Sequence, residues 1–408
     1  MKVSGTPTGS IAVEGSYVPQ EQLLAVQEMR SGIAIGVPKE HLMQEKRVTL
    51  VPDGVGLLVA NGYSVLVESG AGAAAKFSDT DYSEAGAQIV YSTEELFKNS
   101  NILLKINPPT RAEIQMMSNR TTLISALQMS QLSPELIQDL NNKQITGVAW
   151  EMLEDEVGNL PIVRSLSEIA GSTVMLIAAD YLNSNNDGRG VILGGITGVP
   201  PTKVVILGAG TVAQYAARTA YGLGAEVKIF DNHLYKLRRV RQELGAQIYT
   251  SIIDNVNLLD ALKRADLVIG ALRPEEGRNM YMVSEEMVAA MKPNSVIVDV
   301  SIDSGGCFET SMVTTHDKPY FKRYDVIHYC VPNIASRVAH TASQAISNLL
   351  SPMLAHIDEV GGVEEMIFAK EWFMRGVYCY KGSLTNRHLA RRLNMKHRDL
   401  NLFRLSRL

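Results

Sequence analysis

An apolar run over residues 203–207 passes directly into Gly208, Ala209, Gly210, Thr211, Val212 and Ala213, and a helical pattern follows over residues 214–223. In a strand, turn and helix of this kind the first glycine permits the tight turn and the second lets the main chain approach a pyrophosphate. The small residue at the third position packs helix on strand. The start of the helix adds unpaired N–H groups and the positive end of its dipole. The next strand, residues 226–230, ends on Asp231. That is about 20 residues beyond the turn, where a carboxylate can meet the hydroxyls of an adenosine ribose. A carboxylate there repels a 2′-phosphate, so the pattern points to NAD rather than NADP, with His233 and Lys236 close by in sequence.

Other residues have the chemistry of a small-molecule site. Arg47 falls between a first strand and a helix that starts near Asp53. Its planar guanidinium can hold a substrate carboxylate through two hydrogen bonds, although an exposed surface charge explains it as well. Asp303 follows the apolar run 295–300 and precedes Gly305 and Gly306. At the carboxyl edge of a nucleotide-binding sheet such a group can take a proton from an ammonium or stabilise a cationic imine; an ordinary turn also uses an aspartate there. Lys105 and Asn107 are two apart on one strand and share a face, and Gln128 follows the run 122–127. All three can contact a bound small molecule. His316, His328 and His340 are not at metal-ligand spacing, and no nucleophile with a paired base stands out.

These side chains need elements to carry them. Residues 1–32 read as an arm rich in Gly, Ser and Pro with one short helical pattern at 20–28. From residue 33 short apolar strands, such as 33–37 and 64–68, alternate with helix-like stretches such as 53–61, the signature of βαβ units. A strand at 101–106 must turn at Pro108 and Pro109, and a strand at 144–150 closes the first unit near residue 160. Residues 165–182 form a long apolar helix that can bridge two domains, with Ser165 or Ser167 as its cap. A connection rich in Gly and Pro spans 187–201. The second unit has strands at 203–207, 226–230, 267–271 and 295–300, expected to pair in parallel. A helical run over 338–357 then carries the chain back to the first unit. The expected fold is α/β, with two Rossmann-like domains, parallel sheets flanked by helices, and a cleft between them. Residues 33–160 with 338–408 make the substrate domain, and 161–337 make the dinucleotide domain.

Composition narrows the partners. At 408 residues the chain is long enough for two cores, and 46% hydrophobic with 20% charged residues is typical of a globular protein. A net charge of -4 leaves no basic field for nucleic acid. Apolar stretches such as 173–179 are far shorter than the roughly 20 residues that cross a bilayer. The first 32 residues lack an apolar segment followed by a small-residue cleavage site. Cys307, Cys330 and Cys379 are scattered and odd in number, which fits reduced thiols. The expectation is a cytoplasmic protein with a small-molecule ligand and neither a nucleic-acid nor a membrane partner.

From about residue 33 to near the end, the chain resembles the alanine dehydrogenase and pyridine nucleotide transhydrogenase family, and alanine dehydrogenases most. The resemblance is carried by Ile35-Gly-Val-Pro-Lys-Glu40, Lys46-Arg-Val48, Glu68-Ser-Gly-Ala-Gly72, Ser167-Glu-Ile-Ala-Gly171 and Gly194-Gly-Ile-Thr-Gly-Val199. It continues through the turn at Gly208, Ile302-Asp-Ser-Gly-Gly-Cys-Phe-Glu309, Thr314-Thr-His316 and His328-Tyr-Cys-Val-Pro-Asn333. It implies NAD-dependent, reversible oxidative deamination of L-alanine to pyruvate and ammonia, and assembly as a homo-oligomer, commonly a hexamer. It places Arg47 on the substrate carboxylate, Asp303 at the nicotinamide, and Ser167 and Asn333 among the coenzyme contacts. Two positions depart from the family. Its substrate lysine falls on Asn107 in Leu104-Lys-Ile-Asn107, and its proton-handling histidine falls on Gln128 in Ser125-Ala-Leu-Gln128. Neither replacement titrates near neutral pH. Lys105 is then the candidate for the missing cation and Gln128 an assisting group. The alternatives are an NAD(H)-binding sensor or transhydrogenase-like protein without amino-acid turnover, and a dehydrogenase for another amino acid.

Overall fold

The alternation of apolar runs with helical stretches resolves into two sheets. The computed structural model describes residues 32–155, 157–272 and 281–405; the expected arm, apart from Gly32, lies outside the described residues. First in the chain come β1 (Ala34–Val37), β2 (Ser64–Glu68), β3 (Gln88–Val90), β4 (Ile102–Lys105), β5 (Thr122–Ser125) and β6 (Thr146–Ala149). Next are β7 (Lys203–Leu207), β8 (Glu226–Phe230), β9 (Tyr249–Ser251), β10 (Leu267–Gly270), β11 (Val296–Asp299), β12 (Tyr320–Arg323) and β13 (Val326–Tyr329). β14 (Val377–Tyr380) and β15 (Ser383–Leu384) come last. One sheet has the order β15-β14-β6-β5-β4-β1-β2-β3 and the other β12-β13-β11-β10-β7-β8-β9. The first and last parts of the described chain therefore share a sheet.

Every residue of β4, β5 and β6 is buried, as parallel strands covered by helices on both faces must be. The second sheet departs from the all-parallel expectation. β12 pairs antiparallel with β13, and β14 likewise runs antiparallel to β6 in the first sheet. A tight hairpin at residues 324 and 325 explains β12, because an antiparallel neighbour needs no crossover helix.

A helix over Pro161–Leu182 joins the two sheets. It begins four residues before the expected 165, so neither Ser165 nor Ser167 is its cap. Pro161 stands in the first turn, where its missing N–H costs nothing and its fixed φ suits the helix. Among the described helices this one alone is long and apolar enough to cross a membrane. Its buried residues, among them Val174, Ile177 and Ala178, pack instead into the core beneath β7. It also packs closely on the helix Thr211–Gly222. A Cβ on Gly171 would stand 2.4 Å from the carbonyl oxygen of Val212 and 2.8 Å from Cβ of Tyr215.

The returning helix, Ala339–Glu359, supplies hydroxyls to main chain far away in sequence. Ser343 Oγ accepts the Val48 N–H at 3.0 Å and Ser347 Oγ that of Val51 at 3.1 Å, while Ser336 Oγ just before the helix accepts that of Lys46 at 3.0 Å. Buried amides need such partners, and these three hold the segment that carries Arg47.

Gly171→Ala is expected to lower stability by about 1–3 kcal/mol through overpacking, outweighing the ~1 kcal/mol that alanine gains over glycine inside a helix. Dinucleotide binding should weaken as Val212 is displaced. Denaturant titration measures the first effect, and a midpoint at or above the parent's would contradict the close approach of the two helices.

Candidate active site

The glycine turn is built as its residue types require. Gly208 has φ 108, and a Cβ there would lie 2.5 Å from the carbonyl oxygen of Ala271, so this position accepts glycine alone. Gly210, at the N-cap of the helix Thr211–Gly222, has φ -79, which any residue adopts, and a Cβ would point into open space. The fold itself would therefore accept a side chain here. Thr211 and Val212 open the helix, and Ala213 is fully buried against the sheet. Asp231, at the end of β8, accepts the Ala209 N–H at 2.8 Å and the His233 N–H at 2.7 Å, with His233 Nδ1 at 3.0 Å. It braces the turn from the neighbouring strand. An open cradle of amides over Gly210 beside a held carboxylate fits the diphosphate and ribose of NAD.

A cavity of about 540 Å³ lies where the carboxyl edges of the two sheets face each other, within the range of small-molecule sites. From the first sheet Asn107 follows β4, Gln128 follows β5 and Glu151 follows β6; Arg47 comes from the loop held by the returning helix. The second sheet sends Leu272 from beyond β10, Asp303 from beyond β11 and Asn333 from beyond β13. Ser167 and Ala170 of the bridging helix and Val212 of the glycine turn complete the wall. Gln128 (φ 37) and Asn333 (φ 60) both hold left-handed backbone, a strain of about 1–3 kcal/mol that surrounding structure has to sustain.

The charges are arranged in pairs. Arg47 donates from Nε and Nη2 to the two oxygens of Glu45, each at 2.8 Å, and Asn333 donates to the same carboxylate. Burial alone would raise the Glu45 pKa, but the guanidinium and its hydrogen bonds bring it below the ordinary range. A substrate carboxylate would therefore share Arg47 with Glu45. Asp303 is pushed up by burial, against the pull of the Asn333 amide and Arg47.

Lys105 departs from expectation. Its ammonium is buried against Glu113 at 2.8 Å and Glu40 at 3.4 Å and does not line the cavity. A lone buried ammonium would cost several kcal/mol, so two carboxylates draw it away from the cleft. Asn107 Nδ2 lies 3.5 Å from the same Glu40, so the shared face exists, but only the asparagine looks into the cavity. The sequence reading also passed over Glu40, Glu45 and Glu151. Glu151 carried a signal, since it stands immediately after an apolar strand, at the edge where α/β ligands bind.

The two glycines separate fold from ligand. Gly208→Ala is expected to destabilise or unfold the dinucleotide domain. Gly210→Ala should leave the melting temperature unchanged while weakening NADH binding by at least about tenfold, the effect of losing roughly 1.4 kcal/mol at the diphosphate. Calorimetric titration with NADH checks this; undiminished affinity in Gly210→Ala would place the diphosphate elsewhere.

Comparison with known proteins agrees with this geometry. Residues 36–170 match the N-terminal domain of alanine dehydrogenase/PNT, and residues 174–387 match its C-terminal domain. The alanine dehydrogenase of Mycolicibacterium smegmatis is 36% identical over 365 residues, covering 90% of this chain and 98% of that protein. A solved L-alanine dehydrogenase superposes with a TM-score of 0.83 at 35% identity, covering 88% of this chain and 98% of its own. The transhydrogenase from Sinorhizobium meliloti shares the fold, with a TM-score of 0.74 at 23% identity over 87% of this chain and 99% of that one. Two consecutive domain matches and near full-length relatives have one consequence: the chain belongs to the alanine dehydrogenase/PNT family.

Proposed function

We propose that this protein is an NAD-dependent alanine dehydrogenase, converting L-alanine, water and NAD reversibly to pyruvate, ammonia and NADH. The observation that carries the reading is the single cavity in which Arg47 and Asp303 stand together beside the glycine turn. The relatives named alanine dehydrogenase over nearly their whole length support it.

Gly208, Gly210, Thr211, Val212 and Ala213 receive the diphosphate, Asp231 the adenosine ribose, and Ser167 and Asn333 the nicotinamide side. NAD supplies the hydride acceptor when bound. Arg47 orients the substrate carboxylate, with Asn107 and Gln128 donating hydrogen bonds. Asp303 faces the developing positive charge on the substrate carbon and nitrogen and lowers its energy. An NAD(H)-binding sensor without turnover is the second reading, favoured by the amides at Asn107 and Gln128, which transfer no proton at neutral pH.

The residues 33–160 with 338–408 act as the substrate domain and 161–337 as the dinucleotide domain, in line with the strands each sheet collects. Exposed Ile192, Ile196 and Val199 on the connection and Leu223 at the end of the dinucleotide helix favour burial against another copy, and a hexamer is the proposed assembly. The buried, unpaired Cys307, Cys330 and Cys379 suit a reducing cytoplasm.

Purified protein with NAD and a panel of amino acids is expected to generate NADH with L-alanine and consume it with pyruvate and ammonium. Tight NADH binding without turnover of any amino acid would instead select the sensor. Asp303→Asn should lower kcat at least about 100-fold and spare NADH affinity; a full rate removes Asp303 from the chemistry. Light scattering should give a mass several times that of one chain, and a monomer at working concentration would contradict the assembly.

A further inference from the structure

Oxidative deamination moves protons as well as a hydride. The substrate ammonium must lose one before its carbon is oxidised, and the attacking water must lose another. Arg47, Glu151, Asp303 and Tyr378 are the titratable side chains that line the cavity among the described residues. Arg47 keeps its proton at any working pH. Tyr378 is raised far above its ordinary range by burial and the nearby Glu151, and Asp303, which the Asn333 amide and Arg47 approach, is already assigned to the positive charge that develops on the substrate. Glu151 is left.

We propose that Glu151 is the general acid and base of the reaction, a role that rests on the dehydrogenase reading. Its Oε1 accepts the Gln128 N–H at 2.7 Å and its Oε2 the Leu127 N–H at 3.2 Å, which clamps the carboxyl at the end of β6 beside the polar wall of the cavity. Glu40 has Lys105 and Glu45 has Arg47 as cationic partners. The groups favouring ionised Glu151 are main-chain amides alone, those of Gln128, Leu127 and itself. Burial outweighs them and lifts its pKa from 4.5 to about 7, the value at which one carboxyl both takes and returns protons near neutral pH. Two carboxyls in one cleft with different environments divide the work, Asp303 facing the developing positive charge and Glu151 exchanging protons.

In the forward direction an N–H bond of the ammonium breaks and its proton passes to the Glu151 carboxylate, which releases it to water. The Cα–H bond then breaks with its electron pair passing as hydride to the nicotinamide of NAD, so the carbon is oxidised to an iminium and NAD is reduced to NADH. Water adds to that carbon as an O–H bond breaks, and Glu151 carries the proton from oxygen to the amino nitrogen. The C–N bond breaks with its pair on nitrogen, the hydroxyl loses its proton to Glu151 as C=O forms, and that proton leaves on ammonia as ammonium. One proton is released to solvent per turnover.

Three measurements test this on the full chain. With L-alanine and NAD, Glu151→Gln should lower kcat at least about 100-fold and erase the acid limb of the kcat/KM profile near pH 7, while NADH affinity is unchanged. Gln128→His in the Glu151→Gln background should restore part of the rate, because it returns a titratable group to the same wall; a purely structural loss would not be rescued. Infrared difference titration, with Glu151→Gln as the blank, should show a carboxyl protonating near pH 7 without any substrate. A retained rate and pH limb in Glu151→Gln, or a carboxyl titrating in the ordinary glutamate range, overturns the role of Glu151 alone. Wild-type protein that binds NADH but turns over no amino acid removes the dehydrogenase reading, and this role with it.

Discussion

Where a parallel strand ends, the amides that follow have lost their ladder partner but are still surrounded by protein, and each must find an acceptor. In this fold the acceptor is repeatedly a carboxylate at the end of the adjacent strand. Glu68 of β2 takes the Lys39 N–H beyond β1, Glu40 beyond β1 takes that of Ile106 beyond β4, Glu151 beyond β6 takes those of Leu127 and Gln128 beyond β5, and Asp231 beyond β8 takes that of Ala209 beyond β7. The carboxyl edges of both sheets are thereby fastened by acids. One of these acids, Glu151, also lines the cavity.

This explains the electrostatic character of the cleft. Acids introduced to satisfy amides bring negative charge into a partly dry space, and the cations respond by pairing with them. Lys105 is drawn to Glu113 and Glu40, and Arg47 is held by Glu45. Among the described residues the cleft keeps one guanidinium, shared, and two carboxyls whose pKa values burial raises, Asp303 and Glu151. Amide side chains at Asn107 and Gln128 add hydrogen bonds without adding charge. The arrangement can bind a carboxylate at one point and manage positive charge and protons at two others.

The segment carrying Arg47 depends on chain almost three hundred residues away. The serine hydroxyls at 336, 343 and 347 hold the amides of Lys46, Val48 and Val51, so the closing helix sets where the guanidinium points. The bridging helix does the corresponding work on the other side, presenting Ser167 to the cavity while Gly171 lets it approach the glycine turn.

Local pattern was enough to determine a good deal. Strands 64–68, 203–207 and 226–230 fall on the residues expected, because each carries the apolar residues that a buried strand needs and is followed at once by glycine or a polar residue. The dinucleotide turn and Asp231 were legible for the same reason: their constraints act within about 30 residues of chain. The N-terminal start of the bridging helix was misplaced because a serine is a stronger written signal than the proline that begins it. Antiparallel β12 and β14 were not legible, since strand direction is decided by which edge is free. Lys105 and Glu151 exchanged standing for a reason that only tertiary structure holds. A side chain's chemistry is set by its charge partners and its access to water, and those come from strands that are neighbours in the sheet but distant in sequence.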